Sequence, residues 1–146
     1  MKKQITTIVA TVTLIATLTI AGIAGLGTTV TANIPFEFTV NGKTLPAGNY
    51  LVMKGPTSAS LIIQNAKNKT AAVAIVQGAE NENPGKASFR FRRYGNQYFW
   101  AGVSDGNVAS ELPVSKAERK AARGNDHLAM TETKPELVIV SATVGQ

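Results

Sequence analysis

Residues 86–104 of the 146-residue chain read KASFRFRRYGNQYFWAGVS, and they contain its only tryptophan. Phe89 and Phe91 alternate with arginines, which is the two-residue period of a strand with one buried face. The turn-forming residues Gly95 and Asn96 follow, and the aromatic run YFW begins a second strand. The stretch therefore predicts a β-hairpin whose aromatic side chains supply much of the core.

Two registers are open to this hairpin. A two-residue loop suits a type II′ turn with Gly95 at its first central position, and it places Phe91 opposite Trp100. A three-residue loop pairs Tyr94 with Tyr98 instead. Because a shift of one residue exchanges the two faces of a strand, burial should decide the register more strongly than turn geometry does. We therefore expect the three-residue loop.

The three-residue loop divides the hairpin into an apolar face and a polar face. The apolar face would hold Phe89, Phe91, Phe99, Ala101 and Val103. The polar face would hold Arg90, Arg92, Tyr94, Tyr98 and Trp100, and these five are the candidate ligand-binding residues. Aromatic rings beside arginines can stack on sugars or on the bases of single-stranded nucleic acid. The simpler interpretation is that they pair with one another across the strands of a solvated face.

The first 32 residues have the pattern of a secretory signal peptide. Lys2 and Lys3 precede a long uncharged stretch, and Val30-Thr31-Ala32 matches the small-x-small motif before a cleavage site. We expect cleavage after the alanine of this motif and export to the periplasm or the medium. The alternative is an uncleaved anchor in the inner membrane, because residues 5–26 carry no charge and about 20 apolar residues span a bilayer.

Residues 33–146 then form a single β-rich domain, which is large enough to bury a core. Loss of Lys2 and Lys3 lowers the formal charge from +6 to +4, which fits adhesion to anionic envelope polymers. The chain has no cysteine, so it has no disulfide framework, no thiol chemistry and no zinc site built from thiolates.

Short alternating segments between turn signals predict about seven strands in this domain. The final strand, over residues 136–143, contains the apolar run LVIV, which favours a central position buried on both faces. Residues 115–123 predict one short helix, in which Ser115 and Glu118 form a capping box. We expect a mainly β domain, either an antiparallel sandwich or a partly open barrel.

Residues with catalytic or metal-binding chemistry are few and scattered. His127 is the only histidine, and it lies beside Asp126 in a polar loop without a nucleophile motif. One histidine and dispersed carboxylates do not make a transition-metal site, and the Asp-Gly-Asn turn at Asp105 lacks the spaced acidic ligands of a calcium loop. No two glutamates are singled out as an acid–base pair. The sequence therefore predicts no catalytic residue, no metal and no cofactor.

Three phrases of the chain are similar to a known family: ANIPFEFTVNGKTLPAGNY, FRFRRYGNQYFW and ELPVSKAER. They resemble small secreted β-rich proteins of unknown function from soil bacteria, in which the forms IPF-F-V, LPAG-Y, RYG–YF and ELP-S-AER recur in that order. The resemblance covers residues 33–123, and it implies export and a β-rich domain but no known activity. The positions that match are Pro46, Gly48, Tyr50, Tyr94, Gly95, Tyr98, Phe99, Leu112, Pro113 and Ser115.

These observations favour a non-catalytic exported domain that binds or structures the cell envelope. Its expected partner is envelope polysaccharide or another envelope protein, and it would meet the membrane only through an uncleaved N-terminal segment. Export disfavours nucleic acid as a partner. The alternatives are a small hydrolase acting on envelope carbohydrate and a carrier of an apolar ligand in a barrel lined by Phe89, Phe91 and Phe99. The binding hypothesis requires Tyr98 and Trp100 to present open ring faces.

Overall fold

A computed structural model describes residues 28–81, 85–124 and 134–145. Within these residues the chain forms twelve strands and one helix. The elements are β1 (Thr29–Ile34), β2 (Phe38–Val40), β3 (Lys43–Leu45), β4 (Gly48–Lys54), β5 (Ser60–Asn65), β6 (Ala71–Ile75), β7 (Gly78–Asn81), β8 (Ser88–Tyr94), β9 (Gln97–Ser104), β10 (Val108–Glu111), α1 (Lys116–Arg123), β11 (Glu136–Ser141) and β12 (Thr143–Gly145).

The strands form two sheets that pack against each other as an open sandwich. The five-stranded sheet has the order β12-β1-β4-β5-β6. The seven-stranded sheet has the order β11-β8-β9-β10-β7, with β2 beside β9 and β3 beside β2. The prediction of a mainly β domain with one short helix is confirmed. Of the two predicted architectures, the sandwich is correct and the partly open barrel is not. The expected number of about seven strands is too low, since several of the twelve strands are only three or four residues long, among them β2, β3, β7, β10 and β12.

The core lies between the two sheets and is built from alternate residues of their strands. Tyr50, Phe38, Phe89 and Phe91 are its largest fully buried side chains. The ring of Phe38 meets those of Tyr50 and Phe91 edge to face, with centroids 5.0 and 5.3 Å apart. The Tyr50 hydroxyl donates to the carbonyl oxygen of Pro46 at 2.6 Å, so its burial leaves no polar atom without a partner. Side chains of this size contribute about 1.5–3 kcal/mol each when buried.

The last predicted strand lies at the edge of a sheet, so its expected central position is wrong. Most of it forms β11, and only its last residue, Thr143, belongs to β12 in the other sheet. Strand β11 pairs with β8 alone among the described strands. Leu137 and Ile139 are 59% and 60% exposed, while Val138 and Val140 pack against the core. The apolar run therefore consists of two half-buried residues and two outward residues on an edge strand.

Strand β1 begins before the cleavage position that the sequence predicts. It pairs with five residues of β4, from Gly48 to Val52, and with all of β12 on its other side. Val30 and Ala32 are only 4% and 5% exposed. The rest of the predicted signal peptide, residues 1–27, lies outside the described residues. In the part of the chain that the structure describes, no helix has the length and apolarity that a membrane crossing needs.

Candidate functional site

The tip of the β8–β9 hairpin has the two-residue loop. Tyr94 pairs with Gln97, and Phe91 pairs with Trp100. Gly95 has a φ of +58°, which suits the first central position of a type II′ turn and which other residues adopt at a cost. The expected three-residue loop, with Tyr94 opposite Tyr98, is therefore wrong at the tip.

A β-bulge between Arg90 and Phe91 then shifts the pairing by one residue. Beyond it Phe89 pairs with Val103, as the three-residue register requires, and both side chains are buried. The bulge allows the turn to keep its favoured geometry while the base of the hairpin still directs its apolar residues to the core. Each of the two registers thus describes one half of the hairpin.

This mixed register separates the five candidate residues, which the sequence placed on one face. Trp100 is 3% exposed in the main core, where its Nε1 donates to the carbonyl oxygen of Gly102 at 2.8 Å. Tyr98 is half-buried, and its ring stacks on that of Phe36 with centroids 3.9 Å apart. The guanidinium of Arg93 lies 5.5 Å from the centre of the Tyr98 ring. Trp100 therefore presents no open ring face, whereas Tyr98 is part of the lining of a groove described below.

The other three candidates lie on the opposite face of β8. Arg92 donates through Nε and Nη2 to the two carboxylate oxygens of Glu118, the second contact being 3.3 Å long. The Tyr94 hydroxyl donates to the same carboxylate at 3.2 Å. Arg90 is half-buried and lies opposite Ile139 of β11. Two of the three predicted ligand-binding side chains thus hold α1 against the sheet.

Glu118 differs from its predicted role in one respect. The Ser115 hydroxyl accepts from the backbone N–H of Glu118 at 3.1 Å, which confirms the predicted helix cap. The carboxylate, however, turns to Arg92 and Tyr94 and is 1% exposed. The reciprocal half of the capping box is thus replaced by a buried ion pair between the helix and β8.

A small second core completes the docking of α1. Tyr94, Phe99 and Ala122 are buried together, and Ala121 packs against them. The rings of Tyr94 and Phe99 meet edge to face with centroids 5.9 Å apart. Phe99 therefore lies across the sheet from Phe89 and Phe91, and the predicted ligand cavity lined by these three phenylalanines is wrong.

The docked helix forms one wall of an open groove of about 990 Å³. The hairpin of β2 and β3 and the tip of the β8–β9 hairpin form the other walls. Neutral polar groups are prominent among the residues that line it, including Thr39, Thr44, Asn96 and Gln97. Among the described residues, the charged ones that line it are Glu37 and Lys120, one of each sign. We call this feature the α1 groove.

Phe36 supplies an aromatic surface at the α1 groove. Its ring is half-buried, stacked on Tyr98 and set edge-on to Phe91 at 5.0 Å, so neighbouring rings hold it in place. Phe36 alternates along the sequence with Ile34 and Phe38, and this pattern predicts only a core position for it. The groove itself was not predictable, because its walls come from segments about 20 to 80 residues apart and no local pattern marks their meeting.

The remaining candidate residues that the structure describes are not assembled into a reactive site. Asp105 Oδ1 accepts from the backbone N–H groups of Asn107 and Val108 at 2.8 Å each, which is an ordinary turn. His127 and Asp126 lie outside the described residues. Across residues 28–81, 85–124 and 134–145, no three His, Asp or Glu side chains are placed to hold a metal ion.

Comparisons with protein-family models, with curated proteins and with solved structures found no match to this chain. The resemblance to small secreted proteins of soil bacteria therefore stays a prediction, and the functional argument rests on the geometry of the α1 groove.

Proposed function

We propose that this protein is an exported, non-catalytic domain that binds an uncharged polar polymer of the cell envelope, such as a saccharide chain, in the α1 groove. The observation that carries the proposal is the groove itself, with Phe36 beside neutral amide and hydroxyl side chains. A sugar presents hydroxyl groups around its rim and C–H groups on its faces. Amides and hydroxyls bind the first, and an aromatic ring packs against the second.

The size and openness of the groove support a segment of polymer as the ligand. Sites for small molecules have volumes of about 300–1,000 Å³, and the α1 groove lies at the upper end at about 990 Å³. An open groove admits one segment of a chain that extends beyond the site. The signal-like pattern of residues 1–32 supports an envelope location for the domain.

The carboxylates near the groove weigh against the hydrolase alternative. Glycoside hydrolysis uses two carboxyl groups on either side of the bond, about 5–10 Å apart. Glu37 lines the α1 groove, whereas Glu118 is buried in its ion pair with Arg92. The described part of the groove thus offers one carboxylate where a hydrolase needs two.

The proposal is tested by titrating the protein with a β-1,4-linked N-acetylglucosamine hexasaccharide in a calorimeter and by sedimenting it with purified peptidoglycan in about 0.5 M salt, which screens the charges of the peptidoglycan peptides. Gln97 lines the groove and is exposed, and Gln77 is equally exposed but does not line it. Gln97→Ala should weaken binding about 2- to 12-fold, since one hydrogen bond contributes about 0.5–1.5 kcal/mol. Gln77→Ala should bind like the unmodified protein.

Two results would contradict the proposal. If the unmodified protein binds neither probe, a saccharide is not its ligand. If the two substitutions weaken binding equally, the groove is not the binding site. Slow release of shorter sugars from the hexasaccharide, abolished by Glu37→Gln, would favour the hydrolase instead.

A further inference from the structure

We infer that the signal peptide is cut before Thr29, at the motif Gly22-Ile23-Ala24, so that the mature protein keeps the whole of β1. This inference rests on the export proposed above and specifies how the exported chain is processed. Its basis is the position of β1 in the fold, which conflicts with the cleavage site that the sequence alone favours.

Cleavage after Ala32 would remove four of the six residues of β1. Two of them, Val30 and Ala32, are buried in the main core. The cut would leave Asn33 and Ile34 as the last pairs between β1 and β4, opposite Asn49 and Gly48. A strand between two others cannot be shortened in this way without exposing backbone groups on both neighbours.

The loss would extend to the far end of the chain. The three pairs that hold β12 in the five-stranded sheet are Thr29 with Gly145, Val30 with Val144 and Thr31 with Thr143. All three residues of β1 in these pairs precede the cut. Cleavage after Ala32 would therefore release β12 as well, and the five-stranded sheet would lose its strand at that edge.

An earlier site satisfies the requirements of processing and of folding together. Gly22 and Ala24 are small residues in the −3 and −1 positions of a cut after Ala24. The leader is then 24 residues long, within the range of about 15–30 residues, whereas a cut after Ala32 exceeds that range. The mature chain would begin at Gly25 and would reach β1 after a short lead.

The test uses the full chain expressed in a bacterium that exports through the general secretory pathway. The exported fraction is denatured and its intact mass is measured, so that the result does not depend on folding. Matched variants carry a β-branched residue at the −1 position of each site, Ala24→Val or Ala32→Val. We expect a product that begins at Gly25 from the unmodified chain and from Ala32→Val, and accumulation of unprocessed chain from Ala24→Val.

The inference would be overturned by a product that begins at Asn33 and that is lost in Ala32→Val but retained in Ala24→Val. The proposal that the protein is exported would still stand. Retention of Met1 by the unmodified chain in the cell interior would instead overturn the proposed export. In the native product, slow amide hydrogen exchange at Val30 and Ala32 is the further expected result, since both residues lie in the strand between β4 and β12.

Discussion

Removal of the Glu118 carboxylate should destabilise the domain by about 3 kcal/mol. Glu118 is 1% exposed, and the side chain of its partner Arg92 is 19% exposed. Breaking a buried ion pair by removing one partner costs about 3–5 kcal/mol, because the other charge stays away from water. The lower value applies here, since Arg92 keeps some hydration and its contact with the Leu112 carbonyl oxygen at 3.1 Å.

Two methionine substitutions form a double-mutant cycle on this pair. Glu118→Met and Arg92→Met should each cost about 3 kcal/mol, and the double variant should be no less stable than either one, since it contains no unpaired charge. The assay is urea unfolding followed by the fluorescence of Trp100, the only tryptophan, which is 3% exposed in the core. A loss of this size moves the urea midpoint by at least about 1 M.

Glu111→Met provides the matched control, because Glu111 is an exposed glutamate and its substitution should stay within about 0.5 kcal/mol of neutral. The reasoning fails if Glu118→Met costs no more than this control. It also fails if the costs of the two single substitutions simply add in the double variant, because the pair then has no coupling.

Two further predictions concern the hairpin tip and the edge of the smaller sheet. Gly95 and Gly78 both have open space where a Cβ would lie, but Gly95 alone of the two has a positive φ. In urea unfolding, Gly95→Ala should therefore lower the free energy of unfolding by about 1–2 kcal/mol and Gly78→Ala by less than about 0.5 kcal/mol. Equal losses would argue against the type II′ turn. Lys43 Nζ donates to the carbonyl oxygen of Ala71 at the edge of β6, at 3.0 Å. Lys43→Ala should therefore raise the rate of aggregation measured by light scattering, whereas Lys54→Ala, which removes an equally exposed charge, should leave it unchanged; equal rates would contradict this role.

The hairpin shows how far alternation alone predicts this fold. Both of its strands and the core positions of Phe89 and Phe91 follow from the two-residue period. Its register does not, because the turn at Gly95 and the burial of Val103 require pairings that differ by one residue. A bulge allows the hairpin to adopt one pairing at the turn and the other at its base. A regular two-residue period cannot predict such a change of register within one strand.

The final strand shows a different limit of the same pattern. A run of four apolar residues is typical of a strand buried on both faces, yet Leu137 and Ile139 point outward at a sheet edge. Edge and central positions are set by which strands lie alongside, and that depends on residues far away in the sequence. The same limit applies to the candidate site: the sequence pattern singled out Arg92 and Tyr94, while their partner Glu118 comes from a helix 24 to 26 residues away.

The ion pair and the α1 groove are connected through the helix. Ala117, Lys120 and Ala121 line the groove, but alanines bury too little apolar surface to hold a helix of eight residues in place. The contacts of Glu118 with Arg92 and Tyr94 supply the attachment that this helix lacks. Glu118 and Arg92 therefore shape the groove without lining it, whereas Tyr94 both holds the helix through its hydroxyl and forms part of the lining.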